Sequence, residues 1–306
     1  MQNATAGAKP AAATKLKLTV TIGEAPQAAA LKSGAVKSDR LDLAFNQVNP
    51  IHTSFKPMVR ELAFDVCEMA IVTYLMARDN GKKITLIPAM MLAWDQHPQL
   101  IYNSERGTLA PKDLEGKRVG VRAYSQTTGC WVRGFLQNDF GVDLTKVKWI
   151  TFEDAHVAEY RDPPWASREA SGKKITDMLL AGEIDACIAE PPADPRIKTV
   201  IPDAKNVAQE WRKTNGFRPI NHLVVVKSEL AAANPWLVGE LWRMLKESRA
   251  AAKLTPEQSE GAPYGIAANR DAFKRVALYA HQQGLVSKLY DVDEMFDETA
   301  LKACQS

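Results

Sequence analysis

The side chains of this sequence best suited to proton transfer are its histidines, because an imidazole titrates near neutral pH. Four of the five fall at the predicted ends of strands or in the connections between them: His52, His97, His156 and His222. His281 lies in a C-terminal amphipathic pattern, where a structural or exposed position is expected. Ligands of open α/β sheets bind beyond the ends of strands. The four histidines are therefore candidates for a cleft, although each by itself is more often structural.

Glu68 is the carboxylate with the most unusual sequence environment. It lies toward the end of the apolar run FDVCEMA (64–70), which is predicted to be a buried strand. A carboxyl group there can hold a proton or accept a hydrogen bond from a phenol. It can equally satisfy free N–H groups at the start of the following helix. The sequence leaves these two interpretations open.

A run of hydroxyl and amide side chains follows the strand in RVGVRAYSQTTGCW (118–131). Capping the next helix needs only one such residue. Several in sequence, together with free backbone N–H groups and Gly129, favour an anion site. Nearby arginines add charge for carboxylates, and a tryptophan can face an aromatic ring. The predicted substrate-binding residues are Ser125, Thr127, Thr128, Trp131, Arg122, Arg161 and His52.

The elements that must position these residues alternate between strand-like and helix-like runs, which is typical of an α/β fold. Two such sets are separated by a punctuated linker, and a strand, INHLVVVK, returns late in the chain. This pattern predicts two lobes with a ligand cleft between them. Lobe I is predicted to comprise residues 15–108 and 222–306, and lobe II residues 109–221. Residues 1–14 are predicted to be a disordered lead-in.

Composition excludes several classes of protein. The formal net charge of +3 is small and its lysines and arginines are dispersed, so a nucleic-acid interface is not expected. The sequence contains no run of about 20 apolar residues, so no membrane span is predicted. The first residues carry no secretory pattern, which favours the cytoplasm. The four cysteines are widely spaced, so neither a disulfide framework nor a metal knuckle is expected, and Cys67, Cys130 and Cys187 are predicted to be buried thiols.

Several catalytic motifs are missing from the sequence. It has no GxGxxG or Walker loop for a nucleotide and no nucleophile elbow. Asp154, His156 and a distant histidine could gather around one metal ion, but no HExxH spacing supports such a site. No metal or organic cofactor is predicted.

Five blocks of the sequence resemble the 4,5-dihydroxyphthalate decarboxylase family, a group built on the type 2 periplasmic-binding-protein fold. The blocks are FDVCEMA, QHPQLIYN, DLEGKRVGVRAYSQTTGCWVRGFL, ITDMLLAGEIDACIAE and INHLVVV, and EDAHVAEYRDPPW also fits. The resemblance covers most of residues 16–290. It implies removal of one carboxylate from a catechol dicarboxylate to give protocatechuate, without an organic cofactor, in a cytoplasmic and homo-oligomeric enzyme.

Such a reaction places a proton on the ring carbon that loses CO2, and therefore needs a general acid beside that carbon. His97 or His222 is the expected acid, and Glu68 and His156 are expected to contact the phenols. Carboxylates would be held by the polar run at 125–128 with Arg122 or Arg161. A non-catalytic aromatic-acid binding protein or sensor is the alternative. An enzyme for a different small substrate, such as one in pyrimidine-precursor biosynthesis, is a weaker possibility.

Overall fold

The computed structural model describes residues 14–304, and these residues form two β-sheets with helices packed around them. The predicted lead-in, residues 1–14, lies outside the described residues except for Thr14. The first sheet combines strands from residues 16–93 with a late strand from residues 220–227, and the second sheet uses strands from residues 100–199. The chain therefore crosses from one sheet to the other twice.

The first sheet has five strands in the order β2-β1-β3-β11-β4. Strands β1, β2 and β3 are parallel, whereas β11 runs antiparallel to both β3 and β4. All five residues of β3 are buried, as expected for a strand covered on both faces. The strands are β1 (Leu16–Thr21), β2 (Leu41–Phe45), β3 (Val66–Ala70), β4 (Ile84–Ala93) and β11 (Ile220–Lys227).

The second sheet has six strands in the order β10-β5-β9-β6-β7-β8. Strands β6, β7, β8 and β9 form a parallel group, and β5 joins it antiparallel to β9. The strands are β5 (Leu100–Asn103), β6 (Arg118–Val121), β7 (Lys148–Thr151), β8 (Ala166–Arg168), β9 (Ala186–Ile188) and β10 (Ile197–Thr199).

Helices cover both sheets, and the longest are α4, α6, α8 and α10. Helix α8 turns Leu237, Leu241, Met244 and Leu245 inward, a spacing that places them on one helical face. The helices are α1 (Ala29–Lys32), α2 (Phe55–Glu61), α3 (Ile71–Asp79), α4 (Thr127–Asn138), α5 (Ile175–Ala181), α6 (Ala204–Asn215), α7 (Ser228–Ala233), α8 (Leu237–Ala251), α9 (Pro256–Gly261), α10 (Arg270–Gln282) and α11 (Glu298–Ala303).

The first crossing between the sheets comes earlier than the sequence suggested. Strand β5 was expected to belong to lobe I, within residues 15–108, but it pairs with β9 and β10 in the second sheet. The chain thus leaves the first sheet after Ala93 and enters the second at Leu100. It returns at Ile220, close to the predicted position 222. The run LIYN could not be assigned from sequence because its partners lie some 85 to 100 residues further along.

The two sheets share a continuous apolar core, which passes through α4. Trp131 and Phe135 of α4 meet Tyr279 of α10 edge-on, with ring centroids 5.6 and 6.2 Å apart. Gly134 lies between them, and a Cβ atom there would overlap the Tyr279 ring. The absence of a side chain at residue 134 therefore lets α4 pack closely on α10.

Two further predictions concern the state of the cysteines and the possibility of a membrane-spanning helix. The four cysteines are buried and free, and burial raises the pKa of each thiol to about 12. Among residues 14–304, no helix is long and apolar enough to cross a membrane.

Candidate active site

A cavity of about 930 Å³ opens at the edge of the first sheet where β1 and β3 end. The loop after β1, the loop before α2 and the segment 249–262 enclose it. The residues that line it are Gly23, Glu24, Ala25, Pro26, Gln27, Lys32, Gln47, Val48, Asn49, Pro50, Ile51, Glu68, Met91, Leu92, Ala93, Arg218, His222, Arg249, Leu254, Gln258 and Ala262. A buried ionisable pair, Glu68 and His222, forms part of this lining.

Glu68 and His222 lie on neighbouring antiparallel strands, β3 and β11. Oε1 of Glu68 lies 2.7 Å from Nδ1 of His222, and the Gly23 N–H donates to Oε2 across 3.0 Å. Glu68 is only 4% exposed. A carboxylate that accepts at both oxygens holds the imidazole with Nδ1 as the donor. The pair therefore turns Nε2 of His222 away from the carboxylate, as an acid or a base requires.

Phe55 brings two of the predicted histidines together. Its ring meets His222 edge-on at 5.0 Å between centroids and His156 at 5.8 Å. Nδ1 of His156 lies 2.8 Å from the Thr73 hydroxyl. Burial, and to a smaller extent the charge of Arg122, lowers the pKa of His156 to about 3. His156 is therefore neutral at physiological pH.

His52 lies on the same side of the site, in the short 3₁₀ turn before α2. Burial and the charge of Arg122 lower its pKa, and His222 acts in the same direction, whereas Glu153 opposes them. Phe55 contacts both His156 and His222, but neither His52 nor His156 lines the 930 Å³ cavity, so their place in a ligand cleft stays a prediction.

His97 does not reach this group. It lies in the turn that connects the two sheets, 1% exposed, with its ring stacked on Phe135 at 3.9 Å between centroids and 8° between planes. Trp211 lies against it at 5.8 Å. Within the described residues neither ring nitrogen has a hydrogen-bond partner, and burial lowers the pKa of His97 to about 4. The expectation that His97 faces the cleft is corrected, because the aromatic core encloses it.

The polar run after β6 has a different role from the predicted one. Thr127 Oγ1 accepts from the Val72 N–H at 3.3 Å, and Thr128 Oγ1 accepts from the Asn221 amide at 3.5 Å. These two contacts join α4 to the first sheet and the helix that follows β3. Ser125 is also buried, and none of the three lines the 930 Å³ cavity. The run is therefore largely used in packing the lobes together.

Trp131 was predicted to face an aromatic ligand, and the structure corrects this. It is fully buried, and its indole N–H donates to the Ile220 carbonyl across 2.8 Å. Its ring packs among Phe135, Trp211 and Tyr279. From sequence alone, a tryptophan one turn into a helix can face either a ligand or the core. Because α4 lies between the lobes, Trp131 faces the core.

The two predicted arginines lie in different places. Arg122 is partly buried beside the histidines and lies 3.8 Å from Glu153. Arg161 is exposed and donates to the carbonyls of Ala158 and Tyr160 at 2.6 and 2.8 Å. It borders a second cavity of about 450 Å³, not the first.

The metal alternative has no assembled ligand set in residues 14–304. Asp154 lies 3.6 Å from Arg168, and His156 is engaged by Thr73. The side chains considered for an ion are thus turned to other partners.

The sequence did not predict the three cations that line the 930 Å³ cavity, which are Lys32, Arg218 and Arg249. All three belong to segments whose charge pattern resembles an ordinary solvated surface. Lys32 pairs with Glu24, and Arg218 lies within 3.4 Å of Asp95 and 2.8 Å of Glu257. No sequence signal distinguishes them from other surface cations, because they face one cavity only after segments far apart in the chain fold together.

A two-lobed α/β fold with a site at the strand ends defines the class of periplasmic-binding-protein-like folds. Solved structures with a similar fold include two sulfonate-binding proteins. The aliphatic sulphonate binding protein SsuA of Escherichia coli has a TM-score of 0.56 at 10% identity, covering 95% of this chain and 93% of that one. The alkanesulfonate-binding protein SsuA of Xanthomonas axonopodis has 0.55 at 13%, covering 92% and 99%. The predicted fold is confirmed.

The particular resemblance is confirmed by two curated relatives, both named 4,5-dihydroxyphthalate decarboxylase. The protein of Comamonas testosteroni is 27% identical over 327 residues, covering 95% of this chain and 99% of that protein. The protein of Pseudomonas putida is 25% identical over 223 residues, covering 68% and 86%. No protein-family model matches the chain. A decarboxylase is a carboxy-lyase, which is the class of enzyme expected from the sequence.

Proposed function

We propose that this protein is a carboxy-lyase that converts 4,5-dihydroxyphthalate, or a close analogue, to protocatechuate. The observation that carries the proposal is the Glu68–His222 pair in a cavity lined by three cations. A dianionic aromatic acid needs cations to hold it, and its decarboxylation needs one proton donor beside the ring. The similarity to two named decarboxylases supplies the substrate class.

His222 is the proton donor in this proposal. With Nδ1–H donated to Glu68, His222 acts as the imidazolium, and its second proton, on Nε2, passes to the ring carbon that bears the departing carboxylate, while the hydroxyl para to that carbon supplies electron density to the ring. The bond to the carboxylate then breaks, its electron pair returns to the ring, and CO2 leaves. Solvent reprotonates His222, so one proton is consumed for each CO2 released.

Glu68 acts through His222 and is a positioning residue. Its two hydrogen bonds, to His222 and to the Gly23 N–H, fix the tautomer and the direction of the imidazole. Glu68 was expected from sequence to contact a phenol, and its engagement by His222 favours the positioning role instead. His52 and His156, which were expected to contact the substrate, do not line the cavity, so their contact with it stays a prediction.

The proposal is tested with purified protein and 4,5-dihydroxyphthalate, following the ultraviolet spectrum and CO2 release. His222→Gln is expected to lower kcat by at least about 100-fold and Glu68→Gln by about 10- to 100-fold, with binding retained. His281→Gln, at an exposed site, serves as the matched control. Saturable binding without CO2 release by the wild-type protein would leave the alternative of a binding protein or sensor. Full turnover by the His222 variant would remove His222 from the chemistry.

Independence from cofactors, the cytoplasmic location and the homo-oligomeric state stay predictions of this proposal. The first is measured by turnover after exhaustive chelation. The second is measured by cell fractionation, and the third by light scattering on the eluting protein.

A further inference from the structure

Arg249 differs from the other two cations of the cavity in having no acidic partner. Lys32 is paired with Glu24, and Arg218 with Asp95 and Glu257. Within the described residues no carboxylate lies within ion-pair distance of Arg249, although its guanidinium lines the cavity. Its charge is therefore the one that an entering anion would neutralise.

The guanidinium of Arg249 is nevertheless held in place. One terminal nitrogen donates to the Ser259 carbonyl at 2.8 Å, and the group lies 4.6 Å from the centre of the Tyr264 ring. Tyr264 in turn stacks on Trp242 and donates to the sulfur of Met91. Neither contact neutralises the charge, and burial lowers the pKa of Arg249. A fixed, partly desolvated guanidinium without a counter-ion is suited to bidentate binding of a carboxylate.

Tyr264 also relates Arg249 to the proposed proton donor. The Tyr264 ring lies 4.6 Å from the guanidinium of Arg249, and its hydroxyl donates to the sulfur of Met91, which lines the same cavity as Glu68 and His222. Arg249, Glu68 and His222 thus line one cavity, with Tyr264 behind it.

We infer that Arg249 binds the carboxylate that the substrate keeps, and so selects aromatic dicarboxylates and turns the neighbouring carboxylate toward His222. This inference rests on the proposed function for the identity of the substrate. Arg249 thereby orients the ring of the substrate. The sequence had assigned the binding of carboxylates to the polar run 125–128 instead.

The test measures binding separately from turnover, by calorimetric titration with two probes. Phthalate carries both carboxylates but lacks the hydroxyls that drive the reaction, and catechol carries only the hydroxyls. Arg249→Gln is expected to weaken phthalate binding by about 10- to 100-fold and to leave catechol binding unchanged. Arg249→Lys keeps the charge but not the planar fork. Its affinity for phthalate is expected to lie between those of the wild-type protein and Arg249→Gln.

Arg243→Gln is the matched control, since Arg243 lies on the same helix and is paired with Glu240 and Glu247. It should bind both probes as the wild-type protein does. The inference is overturned if the wild-type protein binds no phthalate, or if folded Arg249 variants bind it at wild-type strength. Equal loss of both probes would overturn it too, since that indicates a structural role. If Arg249→Gln does not fold, Arg249→Lys decides.

The two proposals fail separately. If phthalate binding depends on Arg249 but 4,5-dihydroxyphthalate is not decarboxylated, the inference on Arg249 stands and the proposed reaction is wrong. If turnover occurs and phthalate binding is indifferent to Arg249, the reaction stands and the carboxylate is held elsewhere.

Discussion

Replacing His97 by phenylalanine separates a structural histidine from a catalytic one. The imidazole is 1% exposed and lies flat on Phe135, and its ring nitrogens have no hydrogen-bond partner within the described residues. A phenyl ring keeps the stacking and removes two buried polar atoms. We expect His97→Phe to be at least as stable as the wild-type protein at pH 7.5, with a gain of up to about 2 kcal/mol.

The magnitude of the pH effect follows from the pKa of His97. Burial lowers it from 6.5 to about 4, so below pH 6.5 the unfolded chain takes up a proton that the folded protein refuses. Stability therefore falls as the pH falls through this interval, by about 1.4 kcal/mol per unit and about 3 kcal/mol in all. Above pH 6.5 both states are neutral and the residue contributes no pH dependence.

Urea unfolding followed by circular dichroism at pH 7.5 and 5.0 measures this difference. Between these values His97 should account for about 2 kcal/mol of the wild-type loss, and His97→Phe should lack that part. His156 has a similarly lowered pKa and contributes equally to both proteins. His281→Gln should behave as the wild-type protein, since that residue is exposed.

Two outcomes would refute the reasoning. An unchanged pH dependence in His97→Phe would mean that the imidazole is solvated or paired in the folded state. A folded His97→Phe protein that binds substrate but loses about 100-fold in kcat would make His97 the general acid. Retained turnover would leave His222 as the candidate.

Two further predictions concern the packing of α4. Gly134→Ala should destabilise the protein by about 1–3 kcal/mol in thermal unfolding, because the new methyl group meets the Tyr279 ring. Gly239 is a helical glycine with room for a Cβ atom, so the control Gly239→Ala should be neutral or stabilising in that assay. Trp131→Phe should cost about 2–4 kcal/mol, since it leaves a cavity and an unpaired Ile220 carbonyl. Its KM should stay at the wild-type value, and a raised KM with unchanged stability would restore the predicted contact with the substrate.

The sequence by itself determined the class of fold and part of the site. Alternating strand and helix patterns are set locally, so they gave the two-lobed α/β architecture without knowledge of any contact. Glu68 and His222 were candidates because each was expected near the end of an apolar strand, and strand ends of an α/β fold meet at the ligand site. In the structure Glu68 is the third of five residues of β3, and His222 is the third of eight residues of β11. Their mutual hydrogen bond was not predictable, because it depends on the antiparallel register of β3 and β11.

Only the tertiary structure decided which polar and aromatic side chains face the cavity. His97 and Trp131 have the residue types of a site, yet packing between the lobes buries both in an aromatic core. Arg249 has the type of a surface residue, yet the folding back of α8 and the segment after it turns its charge into the cavity. The chemistry of a side chain is set by its residue type. Whether that side chain faces the cavity or the core depends on contacts between residues far apart in the chain.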